Sequence, residues 1–599
     1  MTARDEYQSR LESYNRQVNS LERKIIWISR LRLFIFFVTV ALTGLLYNHY
    51  GIAAYGVVPF GLLFFIIAVI RHKQLDNGKA ELEVLASINQ TGLNRIAGDW
   101  RLFKDRGAEF IDEDHPYTSD LDIFGEFSLF QHMNCSSSYL GRLKMQSTLS
   151  FNVRPIEAIE QYQQAIQELG PQLDWRQRLQ ACTLPLLETK DNPILLMNWA
   201  RAEYSPPWRT WIYTVMGMPV LSGMALAVSW FFSVYAFIPL SLYLIQFIIF
   251  SFQAKYNHNA MKVFEAHYDT LNRYAAALTV IEQLPAQSDM LTSLKKTLVN
   301  KEHVSASKIL SKLAALIYYA DARFMPLAHF MLNTLFLWDA RCVLGLKAWK
   351  NQHGGKLSAW LETVAEFEVL CAFSGLHFDH PAWVFPTVVD HGEPLVATDM
   401  GHPLIADHDR RGNDFSIEDL GAVMIVTGSN MSGKSTLLRT VGVNLVLAYA
   451  GAPVCARVFC CRKMEIFTSM RIRDELGNHI STFYGELLKI KKILNAIAEC
   501  ELPVMVLVDE IFRGTNSRDR HEGSVAVIKA LSGAKTVSLI STHDLTLCEL
   551  EKEYPRVKNV HFSEYFTENA MAFDYILKPG VSDTSNAVHL MKMIGLEVP

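Results

Sequence analysis

Residues Gly421 to Arg439, GAVMIVTGSNMSGKSTLLR, decide how the rest of the chain is read. Val423–Val426 is an apolar, β-branched run of the kind found in a fully buried parallel strand. It leads into Gly428-Ser429-Asn430-Met431-Ser432-Gly433-Lys434-Ser435, which satisfies every fixed position of the spacing G-x-x-x-x-G-K-[ST]. The glycines let backbone N–H groups curl into an anion-binding nest at the start of the helix expected over Thr436–Leu447. In such a loop Lys434 reaches the β- and γ-phosphates of a nucleotide, and the Ser435 hydroxyl holds Mg²⁺.

About seventy residues further on, Val504–Val508 reads as a second buried strand ending in Asp509-Glu510. One carboxylate there can bind the Mg²⁺ water shell, and its neighbour can orient or deprotonate an attacking water. A third strand, Thr536–Ser541, ends in Thr542-His543-Asp544, where an imidazole can sense the γ-phosphate. One acidic pair at a strand end says little. Three strand ends in this order after a phosphate loop read as an ATPase that uses ATP and Mg²⁺.

Working outward, 599 residues are enough for several domains. The net charge of −4 excludes a globally basic nucleic-acid binder, although not a local basic patch. The nine cysteines form no C-x-x-C pair, so they read as reduced buried thiols in a cytosolic body. Half of the residues are hydrophobic, and the surplus is localised.

From Leu33 to Ile70 there is no Asp, Glu, Lys or Arg. That is about twice the ~20 residues of one bilayer crossing. The polar break Asn48-His49-Tyr50-Gly51 divides the run into a hairpin, Leu33–Tyr47 and Ile52–Ile70. A second charge-free run lies between Arg209 and Lys255 and divides into Trp211–Trp230 and Phe232–Phe252. Both runs have basic flanks: Arg23, Lys24, Arg30, Arg32, Arg71 and Lys73 around the first, Arg201, Arg209 and Lys255 around the second. The expectation is four spans in two hairpins, with the N-terminus and the large domains in the cytoplasm and the chain in the cell membrane. Phe330–Leu337 is apolar but is followed by Asp339 and Arg341, and reads as a core helix. The lysines between Lys295 and Lys312 read as a solvated helix face.

Several blocks in one order resemble the MutS family of DNA mismatch-repair ATPases, a branch of the ABC-type ATPases. They are Gly401-His-Pro-Leu-Ile405, Thr427–Thr436, Ile466-Phe-Thr468 with Asp474-Glu-Leu476, Ser481-Thr-Phe483, Asp509-Glu-Ile-Phe-Arg-Gly-Thr515 and Ser541-Thr-His543. Asp122–Arg142 and Asn152–Pro155 resemble the start of the family's helical core. The implied fold is a mostly parallel α/β phosphate-loop ATPase domain over 381–599, preceded by an all-α core and lever region. The membrane hairpins divide that region, giving segments 1–84, 85–209, 210–254, 255–380 and 381–599.

By position, the resemblance implies that Gly428, Ser429, Asn430, Met431, Ser432, Gly433, Lys434, Ser435 and Thr436 cradle the nucleotide. Ser435 and Asp509 would hold Mg²⁺, with Glu510 the general base and His543 the switch histidine. Asn413-Asp414 resembles the adenine-side loop. Ser481 falls in the block that faces the partner subunit's nucleotide, which implies a homodimer sandwiching two ATP molecules. The family's N-terminal mismatch-reading domain is expected to be missing, since a membrane hairpin occupies residues 1–100. The second hairpin sits where a DNA-clamp insertion is expected.

The function expected is a membrane-anchored dimeric ATPase switch that binds DNA in a mismatch-repair-like or damage-sensing role. The alternative is a membrane motor or assembly ATPase acting on membrane proteins without DNA. An ABC exporter fits poorly, because Leu531-Ser-Gly-Ala-Lys535 follows the acidic strand where an exporter signature would precede it.

Overall fold

The structure is a computed structural model of the chain. It describes residues 2–150, 153–189, 192–203, 209–232, 237–264, 267–299, 304–471, 482–512, 517–533, 535–566 and 571–581. The chain divides into two units, one made of 1–93, 135–143 and 172–369, the other of 94–134, 144–171 and 370–599.

The first unit is helical. Its opening helix, Ala3–Tyr50, starts on a capping box in which Thr2 Oγ1 accepts from Asp5 N while Asp5 Oδ2 accepts from Thr2 N. A 3-10 turn over Gly51–Gly56 joins it to the helix Val57–Ala97. The two fold back on one another. Tyr7 lies against Gly92 and Thr39 against Gly61, and the Tyr47 and Tyr55 rings meet at 6.0 Å. Glycine is what permits this closeness: a Cβ on Gly61 would sit 2.2 Å from Thr39 Oγ1.

Where the sequence suggests four spans, the described residues include three helical stretches long and apolar enough to cross a membrane, judged by length and composition. They are Ala3–Ala97, Thr210–Phe232 and Phe237–Phe264. The count differs because the break at Asn48–Gly51 turns inside continuous helical backbone and does not end the first stretch. Bulky side chains including Phe34, Phe37, Leu62, Met224, Trp230 and Leu240 point outward from these stretches.

Farther along, His267–Glu282 and Ala306–Ala320 pair through Leu271, Tyr274, Leu278 and Ile281 on one side and Ile309, Leu310, Leu313 and Ile317 on the other, all buried at helical spacing. Glu282 caps the second helix, accepting from Ser307 N at 3.0 Å and Ser307 Oγ at 2.6 Å. The segment expected to be a core helix around Phe330–Leu337 is a helix, Pro326–Phe336, but not a core one. Leu327, Phe330, Met331 and Phe336 are exposed, and its buried member is Asn333.

Among its described residues the second unit holds ten strands in two sheets: β1 (Thr387–Val389), β2 (Leu395–Met400), β3 (Asn413–Ile417), β4 (Val423–Thr427), β5 (Val458–Arg462), β6 (Glu465–Ser469), β7 (Val504–Asp509), β8 (Thr536–Ser541), β9 (Val557–Phe566) and β10 (Met571–Pro579). The smaller sheet has the order β1-β5-β2-β3, and the larger β10-β9-β4-β8-β7-β6. In the larger sheet all neighbours are parallel except the edge pair β10/β9. Every residue of β4, β7 and β8 is buried, as expected of central parallel strands covered on both faces.

Strand β8 lies between β4 and β7, so the sequence-distant ends Val426, Ser541 and Asp509 stand in register. The helix Lys434–Ala450 follows β4 and is buried along nearly its whole length. Leu121 packs at Gly442 of this helix, where a Cβ would come within 2.6 Å of the Leu121 side chain.

Candidate functional site

The site is built where β4, β8 and β7 end, the edge at which open parallel sheets place their ligands. After β4 the backbone turns through left-handed conformations at Gly428 (φ 146°), Met431 (φ 69°) and Gly433 (φ 109°). A Cβ on Gly428 would meet Ser432 Oγ at 2.6 Å and Phe562 O at 3.1 Å, so this corner requires glycine. Lys434 opens the helix and is buried, with Nζ donating to Gly428 O and Ser429 O at 2.9 Å each. Its ammonium therefore spans the mouth of the loop. Ser429 Oγ donates to Glu564 Oε2 at 2.9 Å, tying the loop to β9. Ser432 Oγ is buried with no protein hydrogen-bond partner, a polar atom left over for a ligand oxygen or water. Asn430 and Thr436 lie in the same loop and first helical turn, and Met431 projects into solvent.

Ser435 Oγ donates to Asp509 Oδ2 at 2.7 Å, which joins the first helical turn to the end of β7. Asp509 Oδ1 accepts from Ser541 Oγ, and Ser541 Oγ also accepts from Glu510 N at 3.1 Å. Ser541 is thus a residue that sequence reading missed. Its only signal was its place directly before Thr542-His543. Glu510 stands in the left-handed region (φ 58°), as does Phe512 (φ 62°); such conformations cost about 1–2 kcal/mol for a residue with a Cβ and gather at functional sites. Glu510 Oε1 lies 2.9 Å from His543 Nε2, so the carboxylate and imidazole at the ends of β7 and β8 hold one another.

Hard oxygen ligands, a hydroxyl and a carboxylate side by side, suit a Mg²⁺ ion that takes its remaining ligands from water and phosphate. Among the described residues no group of three or more His, Cys, Asp or Glu forms a metal-binding cluster. Asn413 opens β3, and its amide donates to Tyr575 O at 3.0 Å and accepts from Leu577 N at 2.7 Å. Ser481 lies outside the described residues, as do Asp474–Leu476 and Arg513–Thr515.

Two further parts hold the site in place. Asn444 donates to Gly401 O at 3.0 Å and accepts from Cys455 N at 2.8 Å, which fixes the Gly401-His-Pro block against the helix after the loop. His402 in that block is half-buried, and desolvation pushes its imidazole down to about 4, so it is neutral at physiological pH.

Asp120 is the second part, and composition gave no hint of it. It accepts from Thr468 Oγ1 (2.7 Å), Met470 N (3.1 Å), Arg471 N (3.0 Å) and Lys489 Nζ (2.7 Å). Its neighbour Asp122 pairs with Arg439 and Arg471. A buried carboxylate with this many donors cannot be removed without stranding them. Asp120→Ala is expected to destabilise this unit by about 3 kcal/mol, read as a fall in its Tm of roughly 6–12 °C. An unchanged Tm would show that the donors find other partners.

Together the two sheets define a mixed α/β unit in which a glycine-rich loop between a buried central strand and a helix faces two carboxylates. The same residues identify its relatives. Residues 424–599 match the family model of MutS domain V. The chain is 36% identical over 220 residues to a DNA mismatch repair protein MutS of Aquifex pyrophilus, covering 36% of this chain and 25% of that protein. It is 31% identical over 240 residues to MutS of Natronomonas pharaonis, covering 39% and 27%. With MutS of a Geobacillus strain the identity is 27% over 310 residues, covering 50% and 34%. Residues 424–599 of the chain carry a MutS domain V, and these matches span about a quarter to a third of the relatives' length.

Proposed function

We propose that this chain is a membrane-anchored MutS-type ATPase that binds and hydrolyses ATP with Mg²⁺ and works as a dimeric switch on DNA, in a mismatch-repair-like or damage-sensing role. The observation that supports it is the convergence of Lys434, Ser435, Asp509, Glu510 and His543 at the ends of three adjacent parallel strands. ATP phosphates would take the place of Gly428 O and Ser429 O as partners of the Lys434 ammonium, and backbone N–H groups of residues 428–436 would surround them. Mg²⁺, bound by Ser435 and Asp509, would neutralise charge developing on the phosphoryl oxygens. Glu510 would hold the attacking water and take its proton, with its reach controlled by the hydrogen bond to His543. Breaking that contact would free His543 toward the γ-phosphate.

In this reading Ser481 completes the partner subunit's site, and the ATPase region begins near residue 381. The helical region before it is divided by apolar hairpins that enter the membrane, the first stretch supplying two crossings by folding back at Gly51–Gly56. Its termini and large domains face the cytoplasm. That the relatives are DNA mismatch repair proteins favours DNA as the ligand over an assembly role on membrane proteins. Duplex DNA binding by the detergent-solubilised chain tests this. Log K is expected to fall linearly with log salt, with a slope of roughly −0.9 per phosphate contacted. Absent binding would discard the DNA role while leaving the ATPase reading in place.

A further inference from the structure

The helix Pro326–Phe336 is turned inside out for a protein in water. Its apolar side chains point away from the protein: Phe324, Met325, Leu327, Phe330, Met331 and Phe336 are 44–74% exposed. Its polar side chains point in. Asn333 is buried, donating to His329 O at 3.0 Å and accepting from Asp339 N at 3.0 Å, and His329 Nε2 lies 2.8 Å from Asp339 Oδ2. An arrangement with polar groups turned inward and apolar groups outward is the one a hydrocarbon solvent selects.

The helix is seated on the second pair of apolar stretches. Phe330 meets Phe247 at 5.8 Å, and His329 meets Phe250 at 5.5 Å between ring centroids. Leu337, Ala340 and Leu344 pack with Val215, Trp211, Met218 and Ile249. Helix C-termini leave carbonyls without partners, a serious cost away from water. Here, with its amide nitrogen facing them, Gln246 donates to Thr334 O and Leu335 O at 3.2 Å each and accepts from Ser222 Oγ. The chain then reverses through Leu337 in a left-handed conformation (φ 51°). A ring cluster of Tyr268, Tyr318, Tyr319 and Trp338 sits at the base, with Trp338 Nε1 donating to Tyr319 O at 2.9 Å. Such amphipathic rings favour the headgroup level.

We propose that Pro326–Phe336 is a re-entrant membrane helix, embedded in the acyl chains of one leaflet beside the hairpin Thr210–Phe264. Eleven residues make about 16 Å of helix, half of the ~30 Å hydrocarbon layer, so it enters without crossing. Its ring partners Phe247 and Phe250 lie toward the end of the hairpin flanked by Lys255, which places the helix in the cytoplasmic leaflet. The occupant of its outer face is lipid acyl chain. This inference rests on the membrane reading of the hairpin, and the two can fail separately.

The full chain, reconstituted in phosphatidylcholine vesicles carrying an acyl-chain diazirine, is irradiated and its peptides mapped by mass spectrometry. Carbene adducts are expected on residues 324–336 at yields comparable with those on Met216–Phe232. Adducts on the hairpin but none on 324–336 would overturn the re-entrant helix and leave the hairpin in the membrane. No adducts on either segment would overturn both readings.

Discussion

Lys434→Ala is expected to abolish ATP binding at ordinary nucleotide concentrations. The ammonium is buried at the mouth of the phosphate loop, held by two backbone carbonyls at 2.9 Å, and is the cation built into that loop. Charged hydrogen bonds contribute about 1.5–3 kcal/mol each. Losing two or more to phosphate oxygens weakens binding by roughly a hundredfold or more. A fluorescent ATP analogue titrated against both proteins reads this directly. Helical content by circular dichroism should stay unchanged, since Lys434 lies in a long helix that Leu437, Leu438 and Val441 hold in the core. An unaltered Kd would remove the phosphate loop from the account.

Glu510→Gln separates binding from chemistry. The substitution keeps the side chain's size and its hydrogen bond toward His543, but an amide cannot accept a proton from water at neutral pH. ATP should bind as before, while turnover falls by roughly 10²–10⁴-fold, the usual contribution of a positioned base. Steady-state phosphate release, with nucleotide binding measured in parallel, makes the comparison. Parental turnover would assign the base to another group. A loss of binding as large as the loss of turnover would instead point to a structural task for this left-handed residue.

The central strands were legible because a parallel sheet covered on both faces demands continuous apolar runs, and Val423–Val426 and Val504–Val508 are such runs, while Thr536–Ser541 mixes small hydroxyl residues with Val537, Leu539 and Ile540. Their order was not. Crossover lengths alone do not say that β8 inserts between β4 and β7, and it is this insertion that brings Ser541 onto Asp509. Asp120 was equally hidden, since its partners are some 350 residues away and nothing local to it announces them.

The apolar segments show the opposite problem. Leu33–Ile70 is long and apolar enough to cross a membrane, yet the turn at Asn48–Gly51 keeps helical backbone and so changes the count of stretches. Pro326–Phe336 is too short for length to decide, and apolar periodicity reads the same for a helix facing protein core as for one facing lipid. Only the direction of Asn333 and Phe330, one inward and one outward, distinguishes them.

The central claim is that the end of the large sheet is a MgATP site, and calorimetric titration of the purified, detergent-solubilised chain with ATP tests it most directly. The account predicts saturable binding that strengthens when Mg²⁺ is present and disappears in Lys434→Ala. Heat indistinguishable from dilution, with or without Mg²⁺, would contradict it.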